Sequence, residues 1–270
     1  MQCLNKATNF SSDITCNNTS ISSEHFLATF TSRFHIVIAN THKLREEVYK
    51  IRYKVYCQEL NYEREEDFPD GMEHDIYDQR SIHCLLKHRS TQLYAGCVRL
   101  ILTDPYNEDA TLPLEKVCRR QLQLDILPRY AFGEVSRLAV TAEFRKRQGE
   151  TQTGPSLSAG ASEFSEEERR FFPLIAPSLY LAATSLALEV GLDRVFALME
   201  PRLARHLRRF GIKFQQTGDF VEFHGQRGIY QVVRDVVLTS MNSTSFDLFK
   251  SLQAQINEQL AYCCNNYHAA

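Results

Sequence analysis

The sequence predicts an α+β fold built on a mixed β-sheet. Three observations lead there. Strand-like segments come in a run over residues 81–103 and again at 131–142. A strongly apolar helix then feeds a further strand at 194–199, and apolar positions recur at helical spacing around 44–55, 179–188 and 246–260. Strands in runs followed by a βα step belong to a mixed sheet with helices laid against it. The chain has 270 residues, 43% of them hydrophobic, enough for one large core or two small ones.

Residues 1–24 are rich in Asn, Ser and Thr, and a mobile tail is expected over 1–30, with a short apolar patch at Phe26, Leu27 and Phe30 able to dock as a helical turn. The main domain is expected over 31–240. Arg33 to Ala39 alternates as a strand. Asn40 and Thr41 offer an N-cap, and Leu44, Val48, Ile51 and Val55 mark one face of a helix ending near Leu60. Arg52 sits at the edge of that face, where it reads by itself as a surface arginine with a packed stem. Residues 61–80 hold a dense acidic run, with a turn at Asp70-Gly71. It reads either as a solvated loop or as a carboxylate-lined pocket for a cationic amine. The spacing from Glu73 to Asp78 lacks the Gly and closing Glu of a calcium loop.

Two strands, Ser81 to Lys87 and Gln92 to Thr103, flank a turn. In the second, Val98, Leu100 and Leu102 share one face, and Cys97, Arg99 and Ile101 the other. Arg99 thus lies mid-strand among apolar neighbours; at an edge it would be exposed, in a central strand it needs an anion or a carboxylate. After a loop at 104–118 and a short helix over 114–125 comes AFGEVSRLAVTAEFRKR (131–147). Its alternation slips around Val135 to Arg137, which predicts a β-bulge carrying Glu134 and Arg137. Residues 148–170 have no core pattern and read as an insertion, flexible or locally helical at Glu163–Arg170. An apolar helix begins at Pro173 or Pro177 and stops at Gly191. The strand Arg194–Met199 follows, then a helix opened by Pro201 and bearing Arg202, Arg205, Arg208 and Arg209. Lys213–Gln216 and Gly228–Leu238 are expected to finish the sheet, and a helix over 245–262 belongs to the C-terminal segment 241–270.

A net charge of −2 argues against a general nucleic-acid binder. The eight cysteines include no CxxC or Cys/His zinc spacing, so no metal is expected, and they read as reduced, cytoplasmic thiols. No apolar run reads as long enough to span a membrane, and the N-terminus lacks the pattern of a secretory signal.

The element order resembles the GNAT acyltransferase fold. Within it, IRYKVYCQELNYE (51–63), EHDIYD (73–78), GCVRL (96–100) and EVSRLAV (134–140) resemble the signature blocks of acyl-homoserine-lactone synthases. MEPRLARHLRRFGI (199–212) and VEFHGQRGIYQ (221–231) instead resemble the exosortase (PEP-CTERM)-associated acyltransferases, relatives of long-chain N-acyl amino acid synthases. The resemblance covers about residues 33–235. It implies an N-acyltransferase that moves a long-chain fatty acyl group from an acyl carrier protein or CoA thioester to the amine of an amino acid or similar small amine. The alternatives are a lactone synthase using S-adenosylmethionine and a non-catalytic acyl-lipid binding protein. By the same resemblance, Arg52, Tyr56, Tyr62, Asp75 and Asp78 would bind the acceptor, and Glu134, Arg137 and Arg99 would serve catalysis. Chemistry adds roles. Glu134 is the candidate base for the amine, and the backbone N–H groups of Leu138, Ala139 and Val140 are candidates to hold the oxyanion. Arg145, Lys146, Arg147, Arg202 and Arg205 are candidates for phosphopantetheine or carrier contact. The arginines of 202–209 read either as a solvated face or as a docking surface for an acidic carrier protein or an anionic membrane. Glu134–Arg137 also admits a purely structural ion pair. The family's Q-x-x-G-x-G/A pyrophosphate loop is missing, which favours carrier protein as donor. Tyr62 in place of the usual Trp argues against S-adenosylmethionine. No tightly bound cofactor is expected.

Overall fold

The computed structural model describes residues 23–107, 109–118, 122, 127–145 and 164–267. Helix α1 (Ser23–Arg33) leads into strand β1 (Phe34–Ile38), followed by α2 (His42–Arg52). A π-helical stretch, Tyr53–Glu59, continues α2. Two 3-10 turns, Glu65–Asp67 and Ile76–Arg80, lie in the acidic run. Then come β2 (Ser81–His88), β3 (Tyr94–Leu102), α3 (Pro113–Cys118), β4 (Phe132–Val140), α4 (Ala142–Arg145), α5 (Glu166–Arg169) and α6 (Ile175–Glu189). The chain closes with β5 (Arg194–Met199), α7 (Pro201–Arg209), β6 (Gln215–Glu222), β7 (Gln226–Val233), α8 (Arg234–Ser240) and α9 (Ser243–Tyr267).

The strands form one seven-stranded sheet in the order β1-β2-β3-β4-β5-β7-β6. Every neighbouring pair is antiparallel except β4 and β5, which run parallel. That parallel pair is short. Phe132, Gly133 and Glu134 match Arg194, Val195 and Phe196, after which β4 runs on to Val140 unpaired on that edge. The two strands therefore part as a fork, and Glu134 stands on its last paired rung.

Alternation sorts the core onto two faces. Cys84, Leu86, Val98, Leu100 and Val135 pack under α1, α6 and α9. The opposite face carries two smaller apolar clusters, one around Ile101, Phe132 and Leu114, the other joining Leu85, Cys97 and Ala139 to Val48 and Ile51 of α2. Arg99 lies between Cys97 and Ile101 on that face, so a polar layer divides the two. The free edge of β1 is covered by α9: Gln255 and Gln259 accept from the N–H groups of Ile36 and Ile38 at 2.9 Å each.

Several expectations need correction. The tail is shorter than 1–30: Ser23–Arg33 is helical, because Leu27 and Phe30 are buried against the core. Residues 1–22 and 146–163 lie outside the described residues. At the end of the expected insertion the local helix is present as α5, with Phe164 buried and Ser165 and Glu168 capping it reciprocally. Residues 234–238, with Val236 and Val237 at their centre, belong to helix α8 instead of prolonging the last strand, and β6 reaches to Glu222, further than Gln216. The stretch 166–189 is long and apolar enough to cross a membrane by composition, yet 83% of its apolar window is buried inside the fold, as a core helix requires.

Candidate active site

The bulge expected in β4 is present. Cys97 pairs with Ala139 and Arg99 with Ser136, so Arg137 and Leu138 together face Val98. Arg137 takes a left-handed backbone, φ 51°, which costs a non-glycine residue of the order of 1–3 kcal/mol and persists only where its surroundings fix it. They do. Its guanidinium donates to Glu73 Oε1 at 3.0 Å and Glu63 Oε1 at 3.1 Å, and lies 5.3 Å from the Tyr56 ring centre.

The polar layer under the sheet extends from there. Arg52, with no exposed surface, pairs with Glu73 through Nε and with Asp78 through Nη1 at 2.6 Å. Arg99 Nη1 reaches Asp75 at 2.6 Å and Asp78 at 2.8 Å, and its Nε donates to Ser136 Oγ at 3.1 Å. Asp75 and Asp78 also cap the turn Ile76–Arg80 reciprocally. Burial pushes Asp78 and Glu73 upward, but the arginines outweigh it and hold both below the ordinary carboxylate range. Neutral His83, lowered to about 4 chiefly by burial, lies behind Asp78. The acidic run is therefore divided: Glu65, Glu66, Asp67 and Asp70 are exposed, as in a solvated loop, whereas Glu73 and Asp78 are buried against the protein's own arginines. Arg52, Arg99 and Asp78 are enclosed in this frame, and only Arg137, Asp75 and Glu63 keep partial exposure at its rim, between 21% and 30%.

Glu134 is separate from that frame. No ion pair joins it to Arg137, whose partners among the described residues are Glu63, Glu73 and Asp75. The Glu134 carboxylate is buried, accepts from the Leu114 N–H at 2.9 Å, and is pushed up to about 7 by burial against the lowering pull of that bond, Arg99 and Arg137. A carboxylic acid tuned to neutrality, at the fork of the sheet, is suited to exchanging a proton near pH 7.

A cavity of about 1050 Å³ lies along the outer half of β4. Its walls come from both faces: Val55, Tyr56, Leu60 and Tyr62 from the π-helical side, Phe144, Phe172, Pro173 and Ala176 from the other, with Leu138 and Val140 of β4 between them. Tyr56 donates to the Leu138 carbonyl at 2.8 Å. The Thr141 N–H bonds to Ala95 O on β3, so by alternation Ala139 turns to β3 as well, while the Val140 N–H faces the edge that β5 has left. Of the three candidate oxyanion donors, alternation thus turns Ala139 away and aims Val140 into the fork, while Leu138 lies within the bulge.

The mouth of the cavity is cationic. Arg145, Arg169 and Arg170 stand on one side, and Arg202, Arg205 and Arg209 on the other, with Glu166 and Glu200 among them. Arg145 pairs with Glu59, and Arg227 with Glu200 at 3.5 Å. Arg227 also lies over Tyr62, 5.6 Å away, and Tyr62 stacks on His224 at 4.9 Å, which ties the loop after the π-helix to the β6–β7 hairpin tip. His224 and Gly225 both have positive φ, so this pair forms the hairpin turn. Lys146 and Arg147 lie outside the described residues. Sequence reading missed Arg169, Arg170, Arg227 and His206 as lining residues. The first two lie in the stretch read as an insertion, and the others carry no local pattern that marks them.

Residues 51–153 match the family model described as Acetyltransferase (GNAT) domain. No curated protein matches the chain in sequence. Among solved structures it is similar to TofI in a ternary complex with an inhibitor and MTA, with a TM-score of 0.55, 17% identity, and coverage of 82% of this chain and 99% of that one. It is similar to FeeM, an N-acyl amino acid synthase from uncultured soil microbes, with a TM-score of 0.52, 14% identity, and coverage of 79% and 98%. It is also similar to the AHL synthase LasI, with a TM-score of 0.51, 14% identity, and coverage of 77% and 96%. At such identities the likeness is one of fold: a GNAT-like mixed sheet flanked by helices.

Proposed function

We propose that this acyltransferase moves a long-chain fatty acyl group from the thioester of an acyl carrier protein or CoA to the amine of an amino acid or similar small amine. The observation that carries the reading is the fork itself, where an apolar cavity with an arginine-lined mouth runs along a strand bearing a carboxylic acid tuned to about 7. A thioester donor has the matching halves, a phosphate-bearing arm for the arginines and an acyl chain for the apolar walls. The amine approaches at the partly exposed rim of the polar layer, beside Asp75 and Glu63.

Most free amine is protonated at pH 7. Glu134, directly or through water, takes the proton, and the nitrogen attacks the thioester carbon. The carbonyl oxygen gains charge and accepts from the Val140 N–H; one such donor contributes about 2.7–4 kcal/mol to the transition state. The C–N bond forms and the C–S bond breaks; the second nitrogen proton passes to the departing thiolate, and the first, held by Glu134, is released to water, so no covalent enzyme intermediate is needed. Cys57, Cys84, Cys97 and Cys118 are buried free thiols, in keeping with that route.

The test is turnover. Purified protein is given a long-chain acyl-CoA or acyl carrier protein with a panel of amino acids and amines. Released thiol is followed by absorbance and the amide by mass spectrometry. Glu134→Gln is expected to lower kcat by at least about tenfold with the fold kept. Unchanged turnover in that variant removes Glu134 from the mechanism, and the absence of any amide product refutes the reading.

A further inference from the structure

We infer that Arg129 is a positioning residue for Glu134, acting through helix α3. This rests on the reading of Glu134 as the base. The chain of contacts is short. The Leu114 N–H donates to Glu134 Oε2 at 2.9 Å, so the orientation of the carboxylate depends on where α3 sits. A six-residue helix holds its place only through what ties it down. Here Glu115, the next residue, is gripped by Arg129 at both oxygens, Nη1 to Oε1 at 3.0 Å and to Oε2 at 3.1 Å. Glu115 Oε1 also accepts from the Leu112 N–H at 2.8 Å, and Arg129 Nη2 donates to Ala110 O at 2.8 Å. One guanidinium thus fixes both the entry to α3 and its first turn.

Arg129 is in turn fixed to β4. Its guanidinium lies 5.2 Å from the ring centre of Phe132, two residues before Glu134, and Thr103 bonds both the Arg129 and Phe132 carbonyls. Arg80 backs the same segment, donating to Leu102 O at 2.7 Å and to Thr111 O. The arrangement is a bracket: β4 carries the acid, the turn before β4 carries the arginine, and α3 carries the backbone donor that the arginine holds against the acid. Nη1 meets both carboxylate oxygens while Nη2 holds the Ala110 carbonyl, so one planar guanidinium ties the side chain and the backbone of this segment at once.

The charged and titratable groups that face Glu134 are Arg99 on β3, Arg137 on β4, Glu115 and Cys118 on α3, and Arg80 on the turn before β2. Arg129 is paired with Glu115, so its removal reaches the acid through the Leu114 N–H and through the Glu115 charge left beside it. Loosening α3 weakens a bond made to the charged form, which raises the carboxyl.

The test is Arg129→Gln with two readouts on the full chain. In the pH profile of kcat/KM, the acid limb is expected to move up by about one pH unit, so that activity near pH 7 falls about fivefold and recovers at alkaline pH. Arg129→Lys, which keeps the charge but not the fork, is expected to fall between. Independently of turnover, the carboxyl of Glu134 is titrated by carbon NMR on glutamate-labelled protein, its resonance assigned by its loss in Glu134→Gln, and the same upward shift is expected. A folded Arg129→Gln protein whose limb and titration both stay in place overturns the proposal, as does one losing activity equally at every pH. Should the wild type turn over no thioester, the acyl-transfer reading falls, and the NMR shift still decides the bracket.

Discussion

Glu134 and the pair Glu73 and Asp78 are buried carboxylates with opposite fates. Glu73 and Asp78 each face arginines and are held below the ordinary range, so their contribution to stability is complete above that range and is lost as pH falls through their folded values. Glu134 has one backbone donor and no ion pair among the described residues, and sits at about 7, above its ordinary 4.5. The sign reverses: what Glu134 contributes in acid is lost as pH rises through about 7, where the fold must bury a charge. Replacing it by Gln keeps an acceptor for the Leu114 N–H and removes the charge. Glu134→Gln is therefore expected to be more stable than wild type above pH 7, by about 1–3 kcal/mol in urea unfolding, and no more stable near pH 4. An acid whose replacement slows turnover while firming the fold is placed for chemistry; equal stability at both pH values would mean that Glu134 is not buried as a charge.

At the scale of the element, β4 is where backbone and side chain constrain one another. Arg137 holds a left-handed residue in mid-strand, a conformation glycine adopts at no steric cost, and its guanidinium is tied to Glu63 and Glu73. Truncation separates the two effects. Arg137→Ala loses the ion pairs and keeps the strain, whereas Arg137→Gly loses the pairs and relieves it. Arg137→Gly is expected to be the more stable of the two by about 1 kcal/mol, measured by thermal or urea unfolding. If alanine is the better tolerated, the bulge does not persist without the arginine. The slip in alternation around Val135 to Arg137 made this bulge legible in the sequence, because strand periodicity is a local property. The same holds for the Thr41 cap, whose side chain accepts from Leu44 N, and for the strand Arg194–Met199. Alternation also placed Arg99 on a face with Cys97 and Ile101. What it could not supply was the partners: Asp75 and Asp78 arrive from a loop more than 20 residues away, and Glu73 joins α2 to β4 only once the sheet has formed. The segment at 234–238 misled for a related reason. β-branched residues favour a strand, but the sheet has no further place for them, and Val237 is buried as part of α8.

Across the whole molecule the charges nearly cancel, a net of −2, yet the cavity mouth gathers seven arginines against two glutamates. They come from four separate places in the chain, α4, the segment 169–170, α7 and β7, so only the α7 group was legible as a cluster. A helix with arginines at 202, 205 and 209 reads as a solvated face until the fork places it opposite Arg145 and Arg170. Concentrating one sign at the rim of an apolar hollow makes a field that gathers anions, and in solution it is screened beyond about 8 Å at physiological salt. Capture of a phosphate-bearing thioester should therefore weaken as salt rises, while the chemical step, shielded within the fork, should not. From low to high salt, KM for acyl-CoA is expected to rise by about tenfold with kcat little changed. Arg202→Gln with Arg205→Gln should raise KM at low salt and flatten the dependence. A donor carrying the same acyl chain on N-acetylcysteamine, with no phosphate, should show neither effect. Steady-state kinetics across a salt series with the two donors decides the matter. If the phosphate-free thioester proves as salt-sensitive as acyl-CoA, the arginines act on something other than the donor's phosphates, and α7 returns to being a solvated face.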